Sequence, residues 1–242
     1  MNEWSNKRYW IVGASEGLGL ALARKMSEAG ASLVLSARNE ARLKEIASFL
    51  PNKAEVLPLD ITDLDAVRKS AKILKNLDGF VFLAGAYWPM AAQDWDVGKL
   101  TKMVNVNLIG ALHTLDVILP MFIEKNSGHL VFTGSLAGYR GLPGALGYGS
   151  SKAAIANLSE TLRYDLKDTL IKVQLINPGF IKTRLTDKNK FKMPQIMSPE
   201  DAAEKMFSNM NKNNFSSSFP APFSWLFRIS RLLPDSIYFK LF

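Results

Sequence analysis

Cysteine is absent from this chain of 242 residues, and histidine occurs twice. Without thiols the protein can form no disulfide, no thiolate metal site and no cysteine nucleophile. With no cysteine beside them, His113 and His129 do not make a metal site, so no metal is expected and both read as structural or surface residues. No stretch of about 18 uncharged apolar residues occurs, so no membrane-spanning helix is expected. The start, Met1–Trp10, is polar and lacks the apolar segment of a signal peptide. Gly-x-x-x-x-Gly-Lys-Ser/Thr is missing, which speaks against a P-loop nucleotidase. Gly-x-Ser-x-Gly is missing too, which speaks against a hydrolase built on a nucleophilic serine. No repeat of about 20–50 residues is visible. A cytoplasmic enzyme is the expectation that these absences leave.

Hydrophobic residues make up 48% of the chain and charged residues 21%, the balance of a globular core. Lys and Arg outnumber Asp and Glu by 30 to 22, and a net charge of +8 favours anionic partners. Part of the excess is local: Lys182, Arg184, Lys188, Lys190 and Lys192 face only Asp187 within residues 182–192. Short apolar runs alternate with amphipathic stretches. Strands are expected at Tyr9–Val12, Ser32–Ser36, Ala54–Leu57, Phe80–Leu83, Leu130–Thr133 and Lys172–Ile176. Helices are expected at Leu18–Ala29, Ala41–Leu50, Asp63–Leu74, Lys99–Glu124 and Tyr148–Lys167. This alternation predicts βαβ units and a doubly wound, parallel α/β sheet of Rossmann type with helices on both faces. Residues 1–210 are expected to form one catalytic domain. The polar patch Asn211–Ser218 then leads into an apolar helical tail, within an extension spanning 211–242.

Gly13, Ser15, Glu16, Gly17, Leu18 and Gly19 lie in one turn between the first strand and the first helix. Glycines there let backbone approach a phosphate, and the helix start supplies unpaired N–H groups. At the end of the second strand an NAD site usually carries an acid for the ribose 2′-hydroxyl. Leu33–Asn39 contains none. Arg38 stands there instead, a fork of donors suited to a 2′-phosphate, with Ser36 able to add a hydroxyl. NADP is therefore the expected cofactor.

Tyr148 and Lys152 are four residues apart at a helix start and project from one face. Ser135 follows the apolar strand Leu130–Thr133, Asn107 lies in the long helix, and Asn177-Pro178-Gly179 follows the next strand. With Asp60-Ile61 after the third strand and Ala84-Gly85 after the fourth, the chain resembles the short-chain dehydrogenases/reductases over about residues 7–200. The resemblance implies hydride transfer between NADP(H) and a small-molecule carbonyl or alcohol. It makes Tyr148 the general acid/base and Lys152 the ammonium that lowers the phenol pKa and binds the nicotinamide ribose. Ser135 would hold the substrate oxygen. Asn107 would complete a proton path through its backbone or side chain. Asp60 and the Ile61 amide would contact adenine. Pro178-Gly179 would shape the nicotinamide pocket, with Ile181 and Thr183 near the carboxamide. The chain departs from the family pattern at Val12 for Thr, at Phe82-Leu83-Ala84-Gly85 for Asn-Asn-Ala-Gly, and at Gly134 for Ser. The usual glycine-rich last strand is missing. The rival readings are a non-catalytic dinucleotide sensor or scaffold, which would not need the Asn107, Ser135, Tyr148 and Lys152 set, and a nucleic-acid binder, for which no motif is present.

Loops 85–97, 136–147 and 180–197 should border the ligand, because ligands of open α/β sheets lie beyond the strands' carboxyl ends. Trp88 and Trp95 are candidate walls, and the last loop is long enough for a lid. In the tail, Pro222 and Pro234 bound Phe223–Leu233, which reads as a short helix. Ser224, Arg228 and Arg231 form a polar stripe, while Trp225, Ile229 and Leu232, widened by Leu226 and Leu233, form an apolar face. Ile237, Tyr238, Phe239, Leu241 and Phe242 add apolar surface. The segment is too short to span a bilayer. Its apolar face is expected to cover the cleft or join a homodimer, with peripheral contact to an anionic membrane as a second role and no nucleic-acid partner.

Overall fold

The computed structural model describes residues 4–241. Within the expected elements, Met1–Glu3 of the polar start and Phe242 of the tail lie outside the described residues. Seven parallel strands form one sheet in the order β3-β2-β1-β4-β5-β6-β7. They are β1 (Arg8–Val12), β2 (Ser32–Ala37), β3 (Ala54–Pro58), β4 (Gly79–Phe82), β5 (Ser127–Thr133), β6 (Leu170–Pro178) and β7 (Ser216–Phe219). The helices are α1 (Gly17–Glu28), α2 (Glu40–Phe49), α3 (Leu64–Ser70), α4 (Val97–Val104), α5 (Gly110–Lys125), α6 (Leu146–Asp165), α7 (Pro199–Met210), α8 (Phe223–Ser230) and α9 (Asp235–Leu241).

Successive strand residues point to opposite faces, so each strand feeds two cores. Ile11, Leu33, Leu35, Val81 and Val131 pack under α1, α2 and α7 through Leu22, Met26, Leu43, Ile46 and Met206. Trp10, Val12, Val34, Phe80 and Phe132 pack on the other face against α3, α5 and α6 through Val67, Leu115, Ile118 and Ile155. That two-sided burial is why the strands read as continuous apolar runs rather than alternating ones. Helix starts are fixed by side chains: Asn39, Asp63, Asp96 and Ser198 each accept a bond from a first-turn N–H.

Three parts differ from expectation. The end of the stretch Asn211–Ser218, expected as a polar separator, belongs to the edge strand β7, with serines in place of the family's glycines. An edge strand needs less apolar content, because one of its sides is unpaired. Helix α7 was not expected, although Ser198 caps it, Pro199 opens it and acids occupy its first turn. The expected helix Lys99–Glu124 runs from Val97 to Lys125 with a π-helical turn at Asn105–Ile109. Its 29 residues reach a mean hydropathy of 1.7 over their most apolar window, so length and composition alone would let it cross a membrane. In this fold it is a core helix, with Met103, Ala111, Ile118 and Phe122 buried.

At the opposite edge from the strands' carboxyl ends, Tyr9 donates to His129 Nδ1 at 2.9 Å, and His129 Nε2 donates to Gln174 Oε1 at 2.8 Å. The Gln174 amide nitrogen reaches the carbonyls of Asn209, Lys212 and Asn214. Burial, helped by the Lys172 charge, pushes His129 down to about 4. The folded protein therefore keeps His129 neutral where an unfolded chain, with an ordinary value near 6.5, is already protonated. Stability from this residue is complete above about pH 6.5 and declines as pH falls toward 4, by about 3 kcal/mol in all. Chemical denaturation across that range should show the decline, and His129→Gln should flatten it. An unchanged slope in the variant would reject the assignment.

Candidate active site

A cleft of about 1570 Å³ opens at the strands' carboxyl edge, beside the point where the order reverses between β1 and β4. This is the crevice in which open α/β sheets bind ligands. Its volume exceeds the roughly 300–1,000 Å³ of a drug-sized pocket, leaving room for one long ligand and a second, smaller one.

The turn after β1 forms one end. Gly13 has φ +94°, and a Cβ on it would stand 2.6 Å from the Ala84 nitrogen. A Cβ on Gly19 would meet the Gly13 carbonyl oxygen at 2.0 Å. Only glycine lets this turn press against the chain leaving β4. Glu16 precedes α1 without capping it through its side chain, so first-turn N–H groups remain for an anion. Ser15, Gly17 and Leu18 line the same end.

Arg38 is exposed beyond β2 and borders the cleft. Its charge, with that of Lys102, reaches Asp60. Partial burial pushes the Asp60 carboxyl up, but two bonds from Thr62 and these cations outweigh it and hold it below its ordinary value. Arg42 was not singled out from the sequence. It lies one helical turn beyond Arg38, approaches the Ser15 carbonyl at 3.4 Å and pairs with Glu45. Its spacing of four from Arg38 was the available signal. Ser36 departs from expectation. It is fully buried, and its Oγ accepts a bond from Trp10 Nε1 at 2.8 Å, so it is spent on the sheet interior rather than offered to a phosphate.

Tyr148, Ser135 and Lys152 meet at the middle of the cleft. Ser135 ends the chain leaving β5, and its Oγ accepts from the Ala137 N–H at 3.1 Å, which fixes the hydroxyl. Gly134 before it has a physical reason: a Cβ there would lie 2.1 Å from Asn177 Oδ1, so the serine common in the family would clash. Lys152 is buried, donates to the Thr133 carbonyl at 2.8 Å and lies 5.8 Å from the Tyr148 ring centroid. Burial pushes its ammonium down to about 8. The Tyr148 phenol also departs from expectation. Burial pushes it above its ordinary value of 10, and the Ser135 hydrogen bond recovers only part of that.

Asn107 sits in the π-helical turn, fully buried. Its Oδ1 accepts from the Ala86 N–H at 2.7 Å, and its Nδ2 donates to the Ala86 carbonyl at 3.0 Å and to Ser151 Oγ at 2.9 Å. Both amide hydrogens and one acceptor site of the side chain are spent on Ala86 and Ser151.

The far wall is the chain after β6. Pro178 and Gly179 lead into Ile181 and Thr183, and the Gly179 N–H donates to the Phe219 carbonyl at 2.7 Å. Arg184 pairs with Glu16 at 2.6 Å, so Glu16 reaches across the cleft. On the other side Lys188 donates to the Tyr87 carbonyl and the Tyr87 hydroxyl to Asn189 Oδ1, both at 2.6 Å. Tyr87 packs edge-on against Tyr148, with centroids 4.9 Å apart. Tyr87, Lys188 and Asn189 were not recognised individually, because contacts across about a hundred residues leave no local pattern. Of the two expected tryptophan walls, Trp88 lines the cleft under Lys188, and Trp95 lies exposed outside it.

The cradle fits a dinucleotide on its own chemistry. Gly13 and Gly19 leave no room for side chains, two arginines stand at one end, and Lys152 keeps N–H donors beyond the one given to Thr133. The neighbouring Thr133 Oγ1 is buried with no partner.

A family model described as short chain dehydrogenase matches residues 7–193. An uncharacterised oxidoreductase of Myxococcus xanthus is 33% identical over 245 residues, covering 98% of this chain and 97% of its own. A short-chain dehydrogenase from Streptomyces avermitilis superposes with a TM-score of 0.86 at 24% identity, covering 98% of this chain and 96% of its own. One from Sphingobium yanoikuyae, solved in complex with NADPH, superposes at 0.83 with 23% identity and 89% of each chain covered. With its parallel seven-stranded sheet and this sequence match, the chain belongs to the short-chain dehydrogenase family of oxidoreductases.

Proposed function

We propose that the protein interconverts a carbonyl and an alcohol with NADP(H), with Tyr148 as general acid/base. The observation that carries this reading is the convergence of Tyr148, Ser135 and Lys152 on one point of a cleft whose end is the glycine turn. NADP(H), when bound, supplies or accepts the hydride. The turn from Gly13 to Gly19 would hold its pyrophosphate, and Asp60 with Ile61 its adenine. Ala84, Gly85, Pro178, Gly179, Ile181 and Thr183 would border the nicotinamide half. Arg38 would take the 2′-phosphate, supported by Arg42 and by the absence of any acid in Leu33–Asn39.

Ser135 Oγ, fixed by its bond from Ala137, would orient the substrate oxygen. Tyr148, like any phenol with a value near 10, keeps its proton at neutral pH, and burial raises that value further, which suits donation to a carbonyl oxygen. Lys152, held on the Thr133 carbonyl, would bind the ribose and stabilise the phenolate left behind. Lys188 and Tyr87 lie over Trp88 on the substrate side, and Phe180, Phe191, Phe223 and Phe227 add aromatic surface to the cleft. This lining favours a bulky apolar substrate.

Tyr148→Phe keeps the ring and removes the transferable proton. Turnover, followed by loss of NADPH absorbance with a panel of apolar ketones and aldehydes, should fall about 10²–10⁴-fold while NADPH binding persists. Undiminished turnover would reject the mechanism. Arg38→Asp should weaken NADPH by about ten- to a hundredfold and leave NADH nearly unchanged by calorimetry. Ser36→Ala, by contrast, should lower stability by about 1 kcal/mol through the lost Trp10 bond and leave NADPH affinity unchanged. A loss of NADPH affinity in that variant would restore Ser36 to the cofactor site.

A further inference from the structure

The tail reverses its expected arrangement. Ser224 and Ser230 face the body and are buried, while Trp225, Leu226, Ile229 and Leu232 are 55%, 66%, 58% and 84% exposed. The docking is polar. Arg140 donates to the carbonyls of Ser230 and Leu233 at 2.8 and 2.7 Å, pairs with Asp235 and lies 3.9 Å from the Tyr238 ring centroid. Tyr238 donates to the Gly141 carbonyl at 2.6 Å. These contacts hold α8 and α9 with an apolar surface outward. Ile237 and Phe239 extend it from α9.

Two further features lie on the same part of the molecule. Phe223 and Phe227, on the inner side of α8, line the cleft, and Phe223 continues a row through Phe180 to Phe191, with successive centroids 5.9 and 5.8 Å apart. Phe191 is itself half-exposed. The exposed residues of this region are also basic. Arg228, Arg231 and Lys240 belong to the tail, and Lys182, Lys190 and Lys192 to the loop carrying Phe191. Helix α8 contains no acid, and Asp235, the tail's one acid, is engaged by Arg140.

We propose that this face docks on an anionic lipid bilayer, with α8 lying in the interface and the mouth of the cleft turned toward the lipid. An interfacial helix needs a Trp- and Leu-bearing face that enters the acyl boundary and basic residues that stay with the headgroups. Trp225, Leu226, Ile229 and Leu232 supply the first, and Arg228, Arg231 and Lys240 the second. The charge decides against a second copy of the chain. A two-fold contact through this patch would bring its basic residues against their own copies, with Asp187 the one acid of the loop set against Lys182, Arg184, Lys190 and Lys192. Docking does not depend on the carbonyl chemistry proposed above.

Sedimentation of the full-length protein with phosphatidylglycerol-containing vesicles and with pure phosphatidylcholine vesicles tests this directly. The anionic vesicles should bind it about tenfold more tightly, and added salt should weaken them. Brominated acyl chains should quench fluorescence in the wild type and not in Trp225→Phe. A Trp225→Ser/Leu226→Ser/Ile229→Ser variant should lose vesicle binding with its NADPH affinity unchanged. Arg228→Glu, a single exposed change, should weaken binding about fivefold and keeps the test valid if the triple variant does not fold. Wild-type protein left in the supernatant, equal binding to both vesicles, or retained binding in a folded triple variant would overturn the proposal. So would sedimentation velocity showing a dimer that the triple variant dissolves while vesicles are not bound.

Discussion

Lys152 carries an ammonium into the interior and rests it on one carbonyl, that of Thr133 at the end of β5. Removing such a charge from water costs several kcal/mol, and one hydrogen bond offsets only part of it. The fall of its pKa to about 8 expresses the remainder. Much else in the site follows from keeping that group in place. Helix α6 must start close above β5, so a Cβ on Gly138 would press on the Lys152 carbonyl at 3.0 Å. Ser151, next to Lys152, is tied to Asn107, and Asn107 to the strand exit at Ala86. The carboxyl ends of β4 and β5 are thereby locked into one geometry around Tyr148.

The same desolvation acts on both members of the pair, in opposite chemical senses. It raises the phenol and lowers the ammonium, so each neutral form is favoured. Without ligand, the phenol of Tyr148 keeps its proton. Ligand hydroxyls bonded to the donors that Lys152 has left would favour the charged ammonium again and, through it, the phenolate. Binding and proton transfer would then be linked through one lysine.

Much of this was legible in the sequence. Strands β1 to β6 and the glycine turn announce themselves through apolar runs and glycine spacing, and the five inner strands do so most clearly, because parallel strands buried on both faces can be little else. Tyr148 and Lys152 were visible as a helical pair. What the sequence did not disclose depends on partners distant along the chain. Ser36 looked available until Trp10, on the neighbouring strand, was seen to occupy it. Strand β7 was hidden because serines satisfy an edge. Helix α7 does carry a local signal, Ser198-Pro199-Glu200-Asp201, in which the serine caps, the proline opens and the acids meet the helix dipole. The departure at Gly134 had no visible cause until Asn177 appeared behind it.

The tail shows why an amphipathic pattern fixes a face without fixing its direction. The pattern places Trp225, Ile229 and Leu232 on one side, for which it allows the cleft, a second subunit or a membrane, and the structure turns that side away from the body. What orients α8 is instead the set of contacts that only the folded body supplies. Arg140 needs carbonyl partners, and Ser230 and Leu233 offer theirs at the end of the helix. Tyr238 finds the Gly141 carbonyl, and Phe223 and Phe227 find the aromatic wall of the cleft. Once these are made, the remaining face has nowhere to turn but outward. A chain selected only for a soluble monomer would gain by replacing that face with polar residues, since contiguous exposed apolar patches invite aggregation. Leu226 and Leu232 therefore mark a surface with a use, and the arginines between them set the sign of what covers it.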